Sequence, residues 1–213
     1  KSDQRTRIEP LTTGDVEALR DPRIAPSVGQ VGAEYNVMGF ASANGEHMRT
    51  TVHGVTPNMR DILNWDVSCG SFITDDQVRR QAQAAVLGTG VIEELFGAVE
   101  AQPGQCDPYP IGELVRINER IFTVTGVMES RSLNALGTEL DQNSVIFVPI
   151  STAQTHLAEA RTRGGYEITL MYVQATSEET ANSASDEIDR YLYDKHDIDS
   201  EDEKDYSVTN AAA

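Results

Sequence analysis

The sequence predicts an α+β fold, and three observations carry that expectation. Alternating stretches at 28–40 and 48–55 are joined by a segment holding Asn44-Gly45, a strong hairpin signal. A helical pattern at about 177–195 lies between an alternating stretch at 166–175 and a short apolar one at 206–208, the order of a β-α-β unit. The middle of the chain has a different texture, with short apolar runs bounded by Gly and Pro.

Residues 10–21 (PLTTGDVEALRD) read as a short helix. Thr12 and Asp15 have capping-box spacing, and Leu11, Val16 and Leu19 recur at helical intervals. After the hairpin, GVTPNMRDILNWDVSCGSFIT at 54–74 runs through a turn and a short amphipathic segment with the only Trp. It ends in CGSFIT ahead of an acidic pair. AAVLG at 84–88 is a short buried strand, and 89–96 a helix that Gly97 stops. Beyond the turn-rich QPGQCDPYP, residues 114–128 read as two strands about a turn at Asn118-Glu119-Arg120. Residues 129–144 are polar and without period, as in an exposed loop. A strand at 144–150 precedes a helix capped by Ser151 with Gln154 and running to about Ala160. Thr176 and Glu179 read as the capping box of the last helix, which places Ala181, Ala184, Ile188, Tyr191 and Leu192 on one face. That helix is about 28 Å long.

The bulk numbers exclude several functions. Seventeen Lys and Arg against 34 Asp and Glu give a net charge of −17. Nucleic acid and anionic lipid both require a basic surface, so neither is an expected partner. Mean hydropathy of −0.38 suits a water-soluble chain. The longest apolar runs, such as VIFVPI at 145–150, fall far short of the ~20 residues of a membrane span. The polar start at Lys1, without a signal-peptide pattern, and the closing Asn210-Ala-Ala-Ala read as the ends of an excised soluble segment.

No residue pattern points to catalysis. His47, His53, His156 and His196 form neither HxH nor HExxH, so each is read as a satisfied surface or strand histidine. Asp197, Asp199 and Glu201 have the first spacings of a calcium loop. Asp202 then stands where such a loop needs Gly, and Val208 where it needs Glu. GTGVIEELFG lacks the Lys-Ser/Thr of a P-loop, and no GxSxG occurs. No catalytic, cofactor-binding or metal site is expected, and no cofactor. Cys69 and Cys106 belong to no CxxC or Cys/His cluster, and composition leaves open both a structural bridge and two idle thiols.

Six segments in order resemble one family. LTTGDVEAL is followed by VHGVTPNM, NWDVSCGSFIT, AAVLGTGVIEELFG, IGELVRINERIFTVTGVM and DQNSVIFVPISTAQTHL. The series is similar to the MacB-like periplasmic core domain of ABC transporter permeases, the MacB/LolE/FtsX-type superfamily. Ser71 departs from the family's usual Arg and Met59 from its aromatic, and the loop around Cys106 is longer than usual. The resemblance implies a porter-like β-α-β subdomain made of residues 1–62 and 143–213, with a β-rich subdomain of residues 63–142 inserted. It implies that Gly54, Pro57, Trp65 and Gly70 form a structural junction between the two, with Ile62 and Leu63 anchored in core. It further implies a transmembrane helix before the segment and three after it, cytoplasmic ATPase subunits or domains, and a permease homodimer or heterodimer. An adaptor or substrate-binding protein outside the membrane is a further implied partner. The implied role is non-catalytic: an extracytoplasmic domain that couples ATP hydrolysis to export or extraction of a drug, peptide, lipoprotein or lipid. The alternative is an FtsX-like regulatory domain that activates a cell-wall hydrolase. Since thiols oxidise outside the cytoplasm, the resemblance also implies a Cys69–Cys106 disulfide.

Overall fold

The computed structural model describes residues 9–97, 109–131, 143–198 and 205–207. The first helix, α1, spans Thr13–Leu19 and starts at the expected capping box, with the Asp15 carboxylate accepting from the Thr12 N–H at 2.8 Å. Strands β1 (Val28–Ala43) and β2 (Glu46–Val55) form the hairpin, in register from Glu34↔Val55 to Ala43↔Glu46. Asn44 and Gly45 turn it with φ of +54° and +84°, the left-handed values a tight hairpin turn requires.

The remaining strands of the main sheet are β3 (Val67–Gly70), β4 (Ala84–Leu87), β5 (Leu114–Ile117), β6 (Arg120–Met128), β7 (Ile146–Pro149) and β10 (Leu170–Ala175); β8 (Arg161–Thr162) and β9 (Gly165–Tyr166) make a separate small hairpin. Six of them close into a ring. The neighbours run β1, β2, β7, β4, β6, β5, and β5 returns to β1 through Ala41↔Ile117 and Ser42↔Arg116. Outside the ring, β10 extends the first half of β1 and β3 extends β6.

The inside of the ring is a hydrophobic core of Val52, Leu87, Val115, Ile117, Phe122 and Ile146, to which helix α4 (Thr89–Phe96) adds Val91, Ile92 and Leu95. A second cluster lies outside it, built by Val55, Met59, Trp65, Phe72, Val86 and Phe147. Strands β4 and β7 stand between these two cores and are buried at all four of their positions, which is why they read as unbroken apolar runs. A third cluster joins α1 and the start of β1 to the last helix, α6 (Ala181–Lys195), through Val16, Leu19, Val31, Ile188 and Leu192.

The structure corrects several expectations. The helix after β7 is short: α5 covers Ile150–Thr152, then a wide turn at Ala153–Leu157 ends it. Ser151 is not its cap, because Pro149 holds that position and the Ser151 hydroxyl donates to the Val78 carbonyl at 2.5 Å. The helix stops short of Ala160 because Ala158 is already extended, with φ −152° and ψ 172°. The last helical segment starts one residue later than read, at Glu178, and α6 itself only at Ala181. Thr176 still donates its N–H to Ser27 at 2.9 Å, so the box forms between Ser177 and Thr180, and Glu178–Thr180 make a tight 3₁₀ turn ahead of α6. Residues 205–207 are not a strand. The Tyr206 hydroxyl donates instead to Asp189 on α6 at 2.8 Å. Most of 129–144, the acidic segment at 199–204, Val208 and Cys106 lie outside the described residues.

Candidate functional site

The stretch read as a junction folds around Trp65. Gly54 sits near the end of β2 with Ile150 and Ala153 crossing over it. A Cβ there would collide with the Ala153 Cβ and press on the Ile150 Cα, so this approach favours glycine. Pro57 lies in the turn between β2 and helix α2 (Met59–Ile62). Its neighbours bind that turn to β1: the Thr56 hydroxyl accepts from the Ala33 N–H at 3.0 Å, and the Asn58 amide donates to the Val31 carbonyl at 2.9 Å. Ile62 and Leu63 are half-buried against the same cluster as Trp65.

Trp65 itself is buried, and its indole N–H donates to the Glu129 carbonyl at 2.7 Å. Its ring stands edge-on to Phe147, with centroids 5.8 Å apart. Arg131 closes the other side. Its guanidinium carbon lies 4.4 Å from the ring centroid, and the group donates to the carbonyls of Leu63 and Asn64. Residues 63–65 are thereby tied to Glu129 and Arg131.

Gly70 ends β3 with φ +75°, and a Cβ there would meet the Thr125 carbonyl and the Gly126 backbone. Gly70→Ala is expected to cost about 1–3 kcal/mol from backbone strain alone. Urea unfolding measures it, and a variant as stable as the parent would show that β3 is free to shift.

Two polar clusters escaped the sequence reading. Glu34 on β1 is buried and pairs with His53 of β2, while Tyr172 of β10 reaches the same carboxylate. The Asp205 carboxylate accepts from the Glu9 N–H at 2.9 Å and meets His196 Nδ1 at 2.8 Å, with the His196 and Asp205 side chains almost fully buried. His47 stacks on Phe40. Among the described residues, no group of three His, Cys, Asp or Glu stands ready to hold a metal ion.

Burial, with the Glu34 charge and hydrogen bond added, pushes the Tyr172 phenol up to about 12. Burial, with Asp15 as its acceptor at 3.0 Å, also raises Tyr191. The fold thus holds both phenols protonated. Their contribution is complete below the unfolded value of about 10 and is lost as pH rises through the folded values. Stability should therefore fall between about pH 10 and pH 12, and Tyr172→Phe should flatten part of that fall. An absorbance titration in which Tyr172 ionises with the exposed tyrosines would contradict it.

The model of the MacB-like periplasmic core domain matches residues 2–191. The chain belongs to that family. The macrolide export ATP-binding/permease protein MacB of Nitrobacter winogradskyi is 31% identical over 148 residues, covering 70% of this chain and 21% of its own length. The MacB of Azoarcus sp. strain BH72 is 26% identical over 204 residues, covering 95% of this chain and 27% of its own. The chain therefore spans only about a quarter of such curated relatives. Two crystal structures share the fold of this MacB-like domain. The extracellular domain of the noncanonic ABC-type transporter YknZ from Gram-positive bacteria superposes with a TM-score of 0.71, at 22% identity, covering 92% of this chain and 90% of that one. The periplasmic region of MacB from Actinobacillus actinomycetemcomitans gives 0.68 at 20% identity, covering 92% and 79%. As a member of this family the chain is a mixed α and β, sheet-dominated domain. No helix among its described residues is long and apolar enough to cross a membrane.

Proposed function

We propose that this chain is the extracytoplasmic domain of an ABC transporter permease and does no chemistry itself. It passes motion driven by cytoplasmic ATP hydrolysis to work outside the membrane, on a drug, peptide, lipoprotein or lipid. The observation that carries this reading is the family match over residues 2–191, on a fold shared with the outer domains of two transporters. The geometry agrees with it. Glu9 and Asp205, 196 positions apart, are joined by a hydrogen bond, so motion of segments flanking the domain would be felt at one place. In this reading the partners are a cytoplasmic ATPase subunit or domain, a second permease, and an adaptor or substrate-binding protein outside. If the ATP chemistry is done elsewhere, calorimetry of this chain with Mg-ATP should give no binding isotherm; saturable binding would overturn the non-catalytic reading.

The division into a porter-like part (1–62 and 143–213) and an inserted part (63–142) is proposed on the same basis. Every buried member of the cluster between α1, β1 and α6 comes from the first part, which supports the division. The ring of strands draws on both parts and would be where they meet. Limited proteolysis should cut first within 129–144. A first cut inside α6 would count against the layout.

A further inference from the structure

One wall of the strand ring carries large apolar side chains that are open to solvent. Met38 and Phe40 of β1, with Leu114 of β5 and Ile121 of β6, are each more than half exposed, at 54, 56, 58 and 51%. The register places them on one face. Across the strands Met38 pairs with Thr51, Phe40 with Arg49 and Ser42 with His47. Ser42 also pairs with Arg116, which faces Ile121, and Leu114 faces Thr123. The alternate positions, Ala41, Val52, Val115, Ile117 and Phe122, point into the ring core, so this face must be its outside. Four strands wide and about six residues long, the wall measures roughly 20 Å each way, the size at which an exposed apolar patch is a binding feature rather than scatter.

Its charge is the reverse of the chain's. Arg49 and Arg116 stand among the apolar side chains with His47, and none of the outward positions just named is a carboxylate. Among the described residues neither arginine forms an ion pair, although the chain carries 34 acids. Glu46, Glu113 and Glu119 lie only on the rim.

We propose that this wall is a docking surface for a partner protein that presents apolar side chains flanked by carboxylates. An anionic membrane would attract the two arginines but repel a chain of net charge −17. A second copy docking like-with-like would set Arg49 and Arg116 against themselves, which disfavours that pairing. The inference does not need the permease reading, and its test involves neither nucleotide nor membrane transport.

The probes are a fluorescent amphipathic peptide with Leu on one face and Glu on the other, its Lys-for-Glu counterpart, and phosphatidylglycerol–phosphatidylcholine vesicles. The chain should bind the Glu peptide at least about tenfold more tightly than the Lys peptide, and less tightly as salt rises. Arg49→Glu with Arg116→Glu should erase or reverse that preference. Phe40→Ser, and separately Leu114→Ser, should weaken binding with an unchanged circular dichroism spectrum, since both side chains already face water. The proposal is overturned if the Glu peptide fails to bind or binds no better than the Lys peptide, or if the double charge reversal leaves the preference intact. Co-sedimentation of the chain with the vesicles, or a dimer that Phe40→Ser disperses, would equally overturn it.

Discussion

Trp65→Ala is expected to destabilise the chain by about 3–5 kcal/mol, the range for emptying a large aromatic site in a core. Trp65 is 6% exposed and packs with Phe72, Met128 and Phe147. Removing it also strands the Glu129 carbonyl and leaves Arg131 without the ring it covers. Trp65→Phe separates these effects. It keeps most of the apolar volume but not the indole N–H, so it should cost less, near the 1–3 kcal/mol of an unsatisfied buried group. Because Trp65 is the only tryptophan, both variants are followed by far-ultraviolet circular dichroism in urea rather than by fluorescence. Equal midpoints for parent and alanine variant would mean that the junction does not depend on this side chain.

Reduction should have an effect of similar size. Cys69 lies buried on β3, at the edge of the ring beside β6, and Cys106 lies outside the described residues, so their bridge is a proposal. A disulfide closing the loop between them would contribute roughly 4 kcal/mol through the entropy of the unfolded chain. Reductant should therefore lower the urea midpoint, and Cys69→Ser with Cys106→Ser should be insensitive to it. Mass spectrometry after alkylation of the unfolded, unreduced chain decides the pairing directly. Two alkylated thiols would defeat it.

Much of the fold was legible because local chemistry dictates it. Asn44-Gly45 demands a tight turn, Gly97 takes a φ of +84° that ends α4, and Thr12 with Asp15 starts α1. The pattern of Thr74 and Gln77 also marks a capping box, for α3 at Asp75–Arg79, a signal present in the sequence and read only as an acidic pair. Ring closure was not legible. It depends on two residue pairs between β1 and β5, which no local pattern announces. Nor was the burial of Glu34, since alternation along β1 reads it as a surface residue. Tyr172, from the far end of the chain, closes over it. The junction residues were named from a resemblance, whereas the cation that covers Trp65 comes from Arg131, in a segment whose sequence gives no sign of order.

The distance between the α6 helices of two permease copies, measured across the ATP cycle, tests the proposed transmission of motion most directly. Asp194→Cys places a spin label on an exposed position of α6 in the full-length transporter, held in lipid nanodiscs with its ATPase. Pulsed electron resonance then compares the nucleotide-free state with the vanadate-trapped one. A domain that transmits ATP-driven motion should show a distance distribution shifted by several ångströms between the two states. An unchanged distribution in a transporter that still hydrolyses ATP and moves its substrate would contradict that role.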